Sequence, residues 1–358
     1  GDEVDADCEW VSTRDAAGLV RKDAAALTAE ERRDLVEAMH ELKRIPSPYD
    51  AKLPWYDQFV AWHDEAFDGN PSAHESAAFL PWHRQFLAQF EAALQTAAGK
   101  PIALPYWDWT NPASTAAVFS DELMGPAGDA ADGYAVTRGP FRKGAWRLWA
   151  RDDGDPSPFV VDGEPQPAEG RYIERAVGQT SYGRLPTTDD VAAMLSNRAY
   201  DASPWNGRVR WGRSFRNGVE GWGSPRASHN TVHVWVGGEF VGRDGEQMGT
   251  MALGTSPNDP VFWLHHANID RLWSTWSAAN GRVYLPAQGG PTGVNRGDTM
   301  EPFARIGIAV TPGDLLSTRP LGYRYDTDGD VSGGRRTVAG PARDLHEVAA
   351  DGGLLCVL

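Results

Sequence analysis

Cysteine is nearly missing from this chain. There are two in 358 residues, Cys8 and Cys356, near opposite ends. Without a C-x-x-C pair there is neither a thiolate metal site nor a redox dithiol, and one disulfide joining the termini is the most the two could form. Long apolar runs are missing too: no stretch reaches the ~18 residues that read as a membrane span. Cationic charge is scarce, with 34 lysines and arginines against 49 acidic residues and a net charge of −15. That balance argues against nucleic acid, whose binders present basic patches, and against an anionic membrane surface. No N-x-[ST] acceptor occurs, because Asn70 is followed by Pro71. The H-E-x-x-H signature of many zinc hydrolases is absent as well. The chain opens on Gly1 instead of Met, which fits a removed export signal. Secretion or export is therefore the expectation, with the cytoplasm as the alternative.

What is present describes a globular protein. Hydrophobic residues make up 41% and charged residues 23%, and the length suffices for a sizeable core in one large domain or two ordinary ones. Residues 1–18 are acidic and without periodicity and read as an extension. A helix then starts at a capping box, Thr28 with Glu31, and continues through Leu35, Met39 and Leu42 until Pro46 and Pro48 stop it. A second helical stripe is Tyr56, Phe59, Val60, His63 and Phe67. A third, with Pro81 in its first turn, is Phe79, His83, Phe86, Leu87, Phe90 and Leu94. Residues 120–170, rich in Gly, Pro and Asp, read as long surface loops with a few short strands. Asp259-Pro260 opens a fourth helix with the stripe Phe262, His266, Ile269, Trp273 and Trp276. Residues 326–358 read as a linker and short tail. The fold expectation is mainly α, one catalytic domain over 19–325.

Nine histidines are present, and seven fall in two groups: His63, His74 and His83, then His229, His233 and the pair His265-His266. His229 and His233, four apart, share one helical face. One histidine on an apolar stripe is ordinarily a hydrogen-bonded core residue. Two groups of three would leave many buried ring nitrogens to satisfy, at about 1–3 kcal/mol each when unpaired, and metal coordination does this most simply. All-imidazole sets suit copper, zinc, iron or nickel. Two such sets suit a pair of copper ions that together deliver two electrons to dioxygen. His266 lies on the more apolar face of its helix and is the expected ligand, with His265 in a supporting role. His40 and His346, outside both groups, are expected to face solvent. The fifteen tryptophans crowd around these segments, which places many near the site.

The motifs now resemble the tyrosinases, of the type 3 copper family, and among them the compact actinobacterial ones. The first region runs from His63 through His74-Glu-Ser-Ala-Ala-Phe-Leu-Pro-Trp-His83 and on to Leu104-Pro-Tyr-Trp-Asp-Trp109. The second is His229-Asn-Thr-Val-His233-Val-Trp-Val-Gly-Gly238, followed by Pro257-Asn-Asp-Pro-Val-Phe-Trp-Leu-His-His266. The resemblance implies a four-helix bundle holding two copper ions, with His63, His74 and His83 on one and His229, His233 and His266 on the other. It implies dioxygen as co-substrate and small phenols as substrates, hydroxylated at the ortho position and oxidised to o-quinones. It also implies that Glu220 and Asn230 hold a water that helps deprotonate a monophenol, and it leaves room for a copper-loading helper protein. Ser72 stands where many relatives carry a thioether-forming cysteine. Val234, Met251 and Phe262 are expected to border the pocket, and Asp270 either orients an imidazole or pairs with a cation at the surface. The alternatives are an oxidase confined to o-diphenols or o-aminophenols and, in another class, a haemocyanin-like dioxygen carrier.

Overall fold

The computed structural model describes residues 18–69, 73–150, 160–161, 164–165, 171–181, 183–242 and 245–328. Cys8, Ser72, His346 and Cys356 lie outside them. The chain enters through β1 (Leu19–Arg21). In helix α1 (Ala29–Leu42) the expected capping box is formed: Glu31 N–H donates to Thr28 Oγ1 at 3.1 Å, and Thr28 N–H donates to the Glu31 carboxylate at 2.9 Å. Leu35, Ala38, Met39 and Leu42 are its buried face, set against α3 (Phe79–Ala98). The chain between α1 and α3 forms α2 (Trp55–Gly69), which buries Tyr56, Phe59, Val60 and His63. Phe67, expected on that same buried stripe, is instead 49% exposed. The last turn of α2 runs past the edge of the core.

Helix α3 is buried on almost every side, with Trp82, Arg84, Gln85, Gln89 and Glu91 enclosed as well as the expected apolar stripe. Short helices α4 (Pro112–Val118), α5 (Thr188–Leu195) and α6 (Phe215–Glu220) lead to α7 (His229–Gly237) and the long α8 (Val261–Asn280). Phe90 of α3 and Trp263 of α8 stack with centroids 3.5 Å apart and planes 3° apart, fixing the crossing of those two helices. The start of α8 is pinned by a buried fork: Arg175 Nε and Nη2 each donate to an Asp259 carboxylate oxygen at 2.6 Å. Pro260, one residue later than expected, is the cap position, and Val261 N–H donates to Asp259 Oδ1.

Strands are few. β1 pairs in parallel with β6 (Tyr323–Tyr325), Leu19 opposite Tyr323 and Arg21 opposite Tyr325, so the two ends of the domain lie side by side. Two-residue strands β2 (Val160–Val161) and β3 (Glu164–Pro165) pair antiparallel, as do β4 (Glu239–Gly242) and β5 (Gly245–Met248). Two expectations need correction here. The 120–150 region is not mere surface loop, because Leu123, Met124, Val136, Phe141, Trp146 and Leu148 are buried, and Trp146 Nε1–H donates to Asn258 O. His40 does not face solvent: it is half-buried, stacked on Phe141 at 5.3 Å, with Nε2 3.1 Å from Pro140 O. Beyond Tyr325 the chain is still tied to the body, Asp326 accepting from Tyr106 OH and Asp328 from Ser274 Oγ. No helix among the described residues is long and apolar enough to cross a membrane.

Candidate dinuclear metal centre

Helices α2, α3, α7 and α8 carry the histidines inward. His63 comes from α2, His83 from α3, and His74 from the segment between them. His229 and His233 come from α7, His265 and His266 from α8. In each group the candidate ligand atoms all lie within 4.8 Å of one another. Ring centroids are 4.9 Å apart for His63–His74 and 5.0 Å for His74–His83, then 4.5 Å for His229–His233 and 4.9 Å for His229–His266. The groups share a wall, because His83 stacks on His266 at 4.3 Å with planes 13° apart.

The ring nitrogens are oriented one way. Nδ1 donates to Gly254 O in His63 (2.6 Å), to Phe79 O in His83 (2.9 Å), to Asn230 Oδ1 in His229 (2.7 Å) and to Met251 O in His233 (2.6 Å). An imidazole that donates from Nδ1 keeps its lone pair on Nε2. Nε2 of His63, His83 and His229 is buried without any hydrogen-bond partner, and Nε2 of His233 stands 3.2 Å from Nε2 of His266. Burial lowers the pKa of His63 to about 3 and of His233 to about 4. For His74, His83, His229, His265 and His266, burial and then the neighbouring imidazoles push the pKa well below the ordinary value. All seven rings are therefore neutral near pH 7, with no proton competing for the converging lone pairs. This donor set fits two copper ions.

His265 is held differently. Trp109 Nε1–H donates to its Nδ1 at 3.1 Å, so the ring proton of neutral His265 sits on Nε2 and that atom has no lone pair to give. Apolarity of the helix face does not separate His265 from His266, because α8 is buried around most of its girth, Asn268 and Leu272 included.

Glu220, at the end of α6, is fully buried. Its Oε1 accepts from Glu75 N–H at 2.6 Å and its Oε2 from Arg216 Nη1 at 2.8 Å, while Arg216 also pairs with Asp201. Burial raises the carboxyl pKa and Arg216 opposes, with the net direction upward. Gly221 (φ 105°) ends the helix. A Cβ there would stand 1.9 Å from Ser228 Oγ and 3.7 Å from Asn230 Cβ, so glycine lets the end of α6 abut the start of α7. His74, Asn230, His233 and Val234 are half-buried and form the open side. Phe67 stands at its edge, 5.2 Å from the His74 ring. Phe262 is fully buried as the floor, 4.1 Å from His266 and 4.9 Å from His63. Met251 is fully buried, and its carbonyl accepts from His233 Nδ1.

Asp270 pairs with cations, as one expectation had it, but in the core instead of at the surface. It is buried, touches no imidazole, and accepts from Arg84 Nε, Tyr323 OH, Tyr325 OH and Arg21 Nη1. Trp109, Arg216 and Asp201 had no assigned role in the sequence reading, although Trp109 stood in the Leu104–Trp109 motif, and Phe67 was read only as part of the buried stripe of α2.

The family signature described as the common central domain of tyrosinase matches residues 54–279. A tyrosinase of Streptomyces glaucescens is 39% identical over 318 residues, covering 86% of this chain and 99% of the relative. A grixazone synthase of Streptomyces griseus is 34% identical over 332 residues, covering 86% and 99%. Among solved structures, a variant polyphenol oxidase of Thermothelomyces thermophila superposes with a TM-score of 0.59 at 24% identity, covering 86% of this chain and 88% of that one.

Proposed function

Because the chain belongs to the tyrosinase family of dicopper oxidases, we propose that it ortho-hydroxylates monophenols as well as oxidising o-diphenols. His63, His74 and His83 would hold one copper, and His229, His233 and His266 the other, with His265 left out by the proton on its Nε2. The copper pair, when bound, supplies the two-electron reduction of dioxygen. The reactions balance as monophenol plus dioxygen to o-quinone plus water, and two o-diphenols plus dioxygen to two o-quinones plus two waters.

The protein's own part concerns approach and proton transfer. A phenol enters over the half-buried side, between Val234 and the His74 edge, onto a floor of Phe262. Its hydroxyl has a pKa of ~10, so a base must take the proton as it meets the metal. The observation that carries the monophenolase reading is Glu220. It is a fully buried carboxylate with raised proton affinity, and the residue after it, Gly221, abuts the start of α7 that carries Asn230. The Glu220 carboxylate has lone pairs beyond those used by Glu75 and Arg216, and Asn230 keeps its NH2 group free of His229. A water held there accepts the phenol proton and passes it to the carboxylate. The test is oxygen uptake with a monophenol, with and without a trace of diphenol, in wild type and Glu220→Gln. We expect monophenol turnover to fall about 10²–10⁴-fold and diphenol turnover far less. Undiminished monophenol turnover in the variant would refute this role, and a wild type that oxidises only diphenols would refute the wider reading.

A further inference from the structure

Four of the six proposed ligands have their ring orientation fixed by an oxygen acceptor at Nδ1, and two do not. Nδ1 of His74 and of His266 is buried without a partner. His266 is fixed by packing: it lies in the middle of α8, between the stacked ring of His83 at 4.3 Å and that of Phe262 at 4.1 Å. His74 has neither restraint. It sits outside any helix, half-buried, with its nearest rings His63 at 4.9 Å, His83 at 5.0 Å and Phe67 at 5.2 Å, all edge-on. The backbone must aim it.

The next residue shows how. Glu75 adopts φ 51°, a left-handed conformation that side chains other than glycine rarely take. Its N–H donates at 2.6 Å to Oε1 of Glu220, which is held from the other side by Arg216 at 2.8 Å. Arg216 is fully buried and also donates to Asp201, Asn206 O and Asn217 Oδ1. Farther along, Ala77 N–H bonds Trp205 O and Tyr200 OH bonds Ala77 O. Those bonds secure the approach to α3, whereas the Glu220 bond is the one beside His74.

We propose that Glu220 is a positioning residue for His74: its carboxylate, anchored by Arg216, accepts the Glu75 amide and holds the left-handed turn that aims the His74 imidazole at the first metal. This rests on the copper assignment above and is separate from proton transfer. One carboxylate thereby serves as a base toward the phenol and as a main-chain clamp behind a ligand.

The experiment measures copper retained per chain against a graded competing chelator, using the full chain. The variants are Glu220→Ala, Glu220→Gln, Glu75→Val and Glu75→Gly, with His74→Ala as reference. Thermal unfolding of the copper-free proteins controls for folding. Glutamine keeps an oxygen for the Glu75 amide, and glycine keeps the N–H and accepts positive φ. Valine keeps the N–H but resists that conformation. We expect Glu220→Ala and Glu75→Val to lose one copper at about 10–100-fold lower chelator strength, the range for removing a partner that orients a metal ligand. Both should track His74→Ala, and the other copper should be unmoved. Glu75→Gly should stay within about threefold of wild type, and Glu220→Gln should lie between wild type and Glu220→Ala, since its oxygen accepts the Glu75 amide while its NH2 group faces the Arg216 donor. Should Glu220→Ala fail to fold, the Glu75→Val and Glu75→Gly pair decides alone. Wild-type retention of both coppers in Glu75→Val and in any folded Glu220→Ala would overturn the clamp while leaving the dicopper assignment intact. A wild type that binds no copper would overturn both.

Discussion

Removing the carboxylate of Asp270 should weaken the fold and spare the metal centre. Asp270 is 3% exposed and accepts from Arg84 Nε at 2.5 Å, Tyr325 OH at 2.5 Å, Tyr323 OH at 2.6 Å and Arg21 Nη1 at 3.3 Å. Arg21 also pairs with Glu91 at 3.0 Å, so two guanidinium groups meet two carboxylates and the buried cluster is neutral. Burial pushes the Asp270 carboxyl pKa up, but Arg84 and Arg21 more than offset it, and the net shift is downward. In Asp270→Ala one positive charge is left uncompensated and the two tyrosine hydroxyls lose their acceptor. Breaking a buried pair from one side costs about 3–5 kcal/mol. For a domain of this size 1 kcal/mol moves the thermal midpoint by about 1.5 °C, so a drop of roughly 5–8 °C is expected. A double-mutant cycle tests the mechanism. Tyr323→Phe alone should cost about 1 kcal/mol and, in the Asp270→Ala background, almost nothing, because its hydroxyl then has no partner to lose. Copper content and diphenol turnover below the transition should stay within about twofold of wild type, since no imidazole touches Asp270. Additive losses in the cycle would refute the shared network. Loss of copper from a folded Asp270→Ala would show instead that the residue orients a ligand.

Two further outcomes follow from buried groups. Glu174 is 7% exposed, its Oε2 has no hydrogen-bond partner, and burial raises its pKa to about 8. An acid whose folded pKa is raised contributes stability that is complete below its unfolded pKa of about 4.5 and is lost as pH rises toward 8. Glu174→Gln should therefore match wild type near pH 4.5 and be the more stable above pH 8 by a few kcal/mol. Denaturant midpoints across pH check this, and parallel curves for the two proteins would contradict it. Trp109→Phe removes the donor to His265 Nδ1, leaving a buried acceptor unpaired at about 1–3 kcal/mol. It also frees His265 to move its proton to Nδ1 and offer Nε2 to the metal. A lower unfolding midpoint with an altered copper absorption spectrum is expected, and no change in either would remove the tautomer argument.

Much of the site was legible because its chemistry repeats along the chain. Histidines at helical spacing on apolar stripes mark both halves of the centre, and Thr28 with Glu31 marks the first helix to the residue. Less legible was whatever depends on where the core ends. Periodicity says which side of α2 turns inward but not that its last turn passes the edge, so Phe67 was placed inside. Composition marked 120–150 as loop, yet Phe141 and Trp146 are buried there, because an irregular segment can still supply large side chains to a core. Partnerships between distant residues have no local signature: Arg175 with Asp259, Trp109 with His265, and Asp270 with Tyr323 and Tyr325. The apolar-face argument that favoured His266 over His265 was also weaker than it looked, since α8 is enclosed around most of its girth. What distinguishes the two rings is an indole N–H from another segment.

The anchoring of His63, His83 and His233 by main-chain oxygens of Gly254, Phe79 and Met251 has an evolutionary corollary. A carbonyl is supplied by whatever amino acid occupies the position, so the acceptor behind each of these three rings does not depend on a particular side chain. The side chain at 251 can then drift while the His233 imidazole stays on target, whereas Phe79 is more constrained because its ring packs on His83 at 4.7 Å and on His229 at 4.9 Å. Position 254 has less latitude, because a Cβ there would stand 3.0 Å from Asp64 Oδ1 and 3.1 Å from Phe67 Cδ1. A centre braced in this manner can be retuned toward new phenols by mutation near the pocket without first losing the ability to hold its metals.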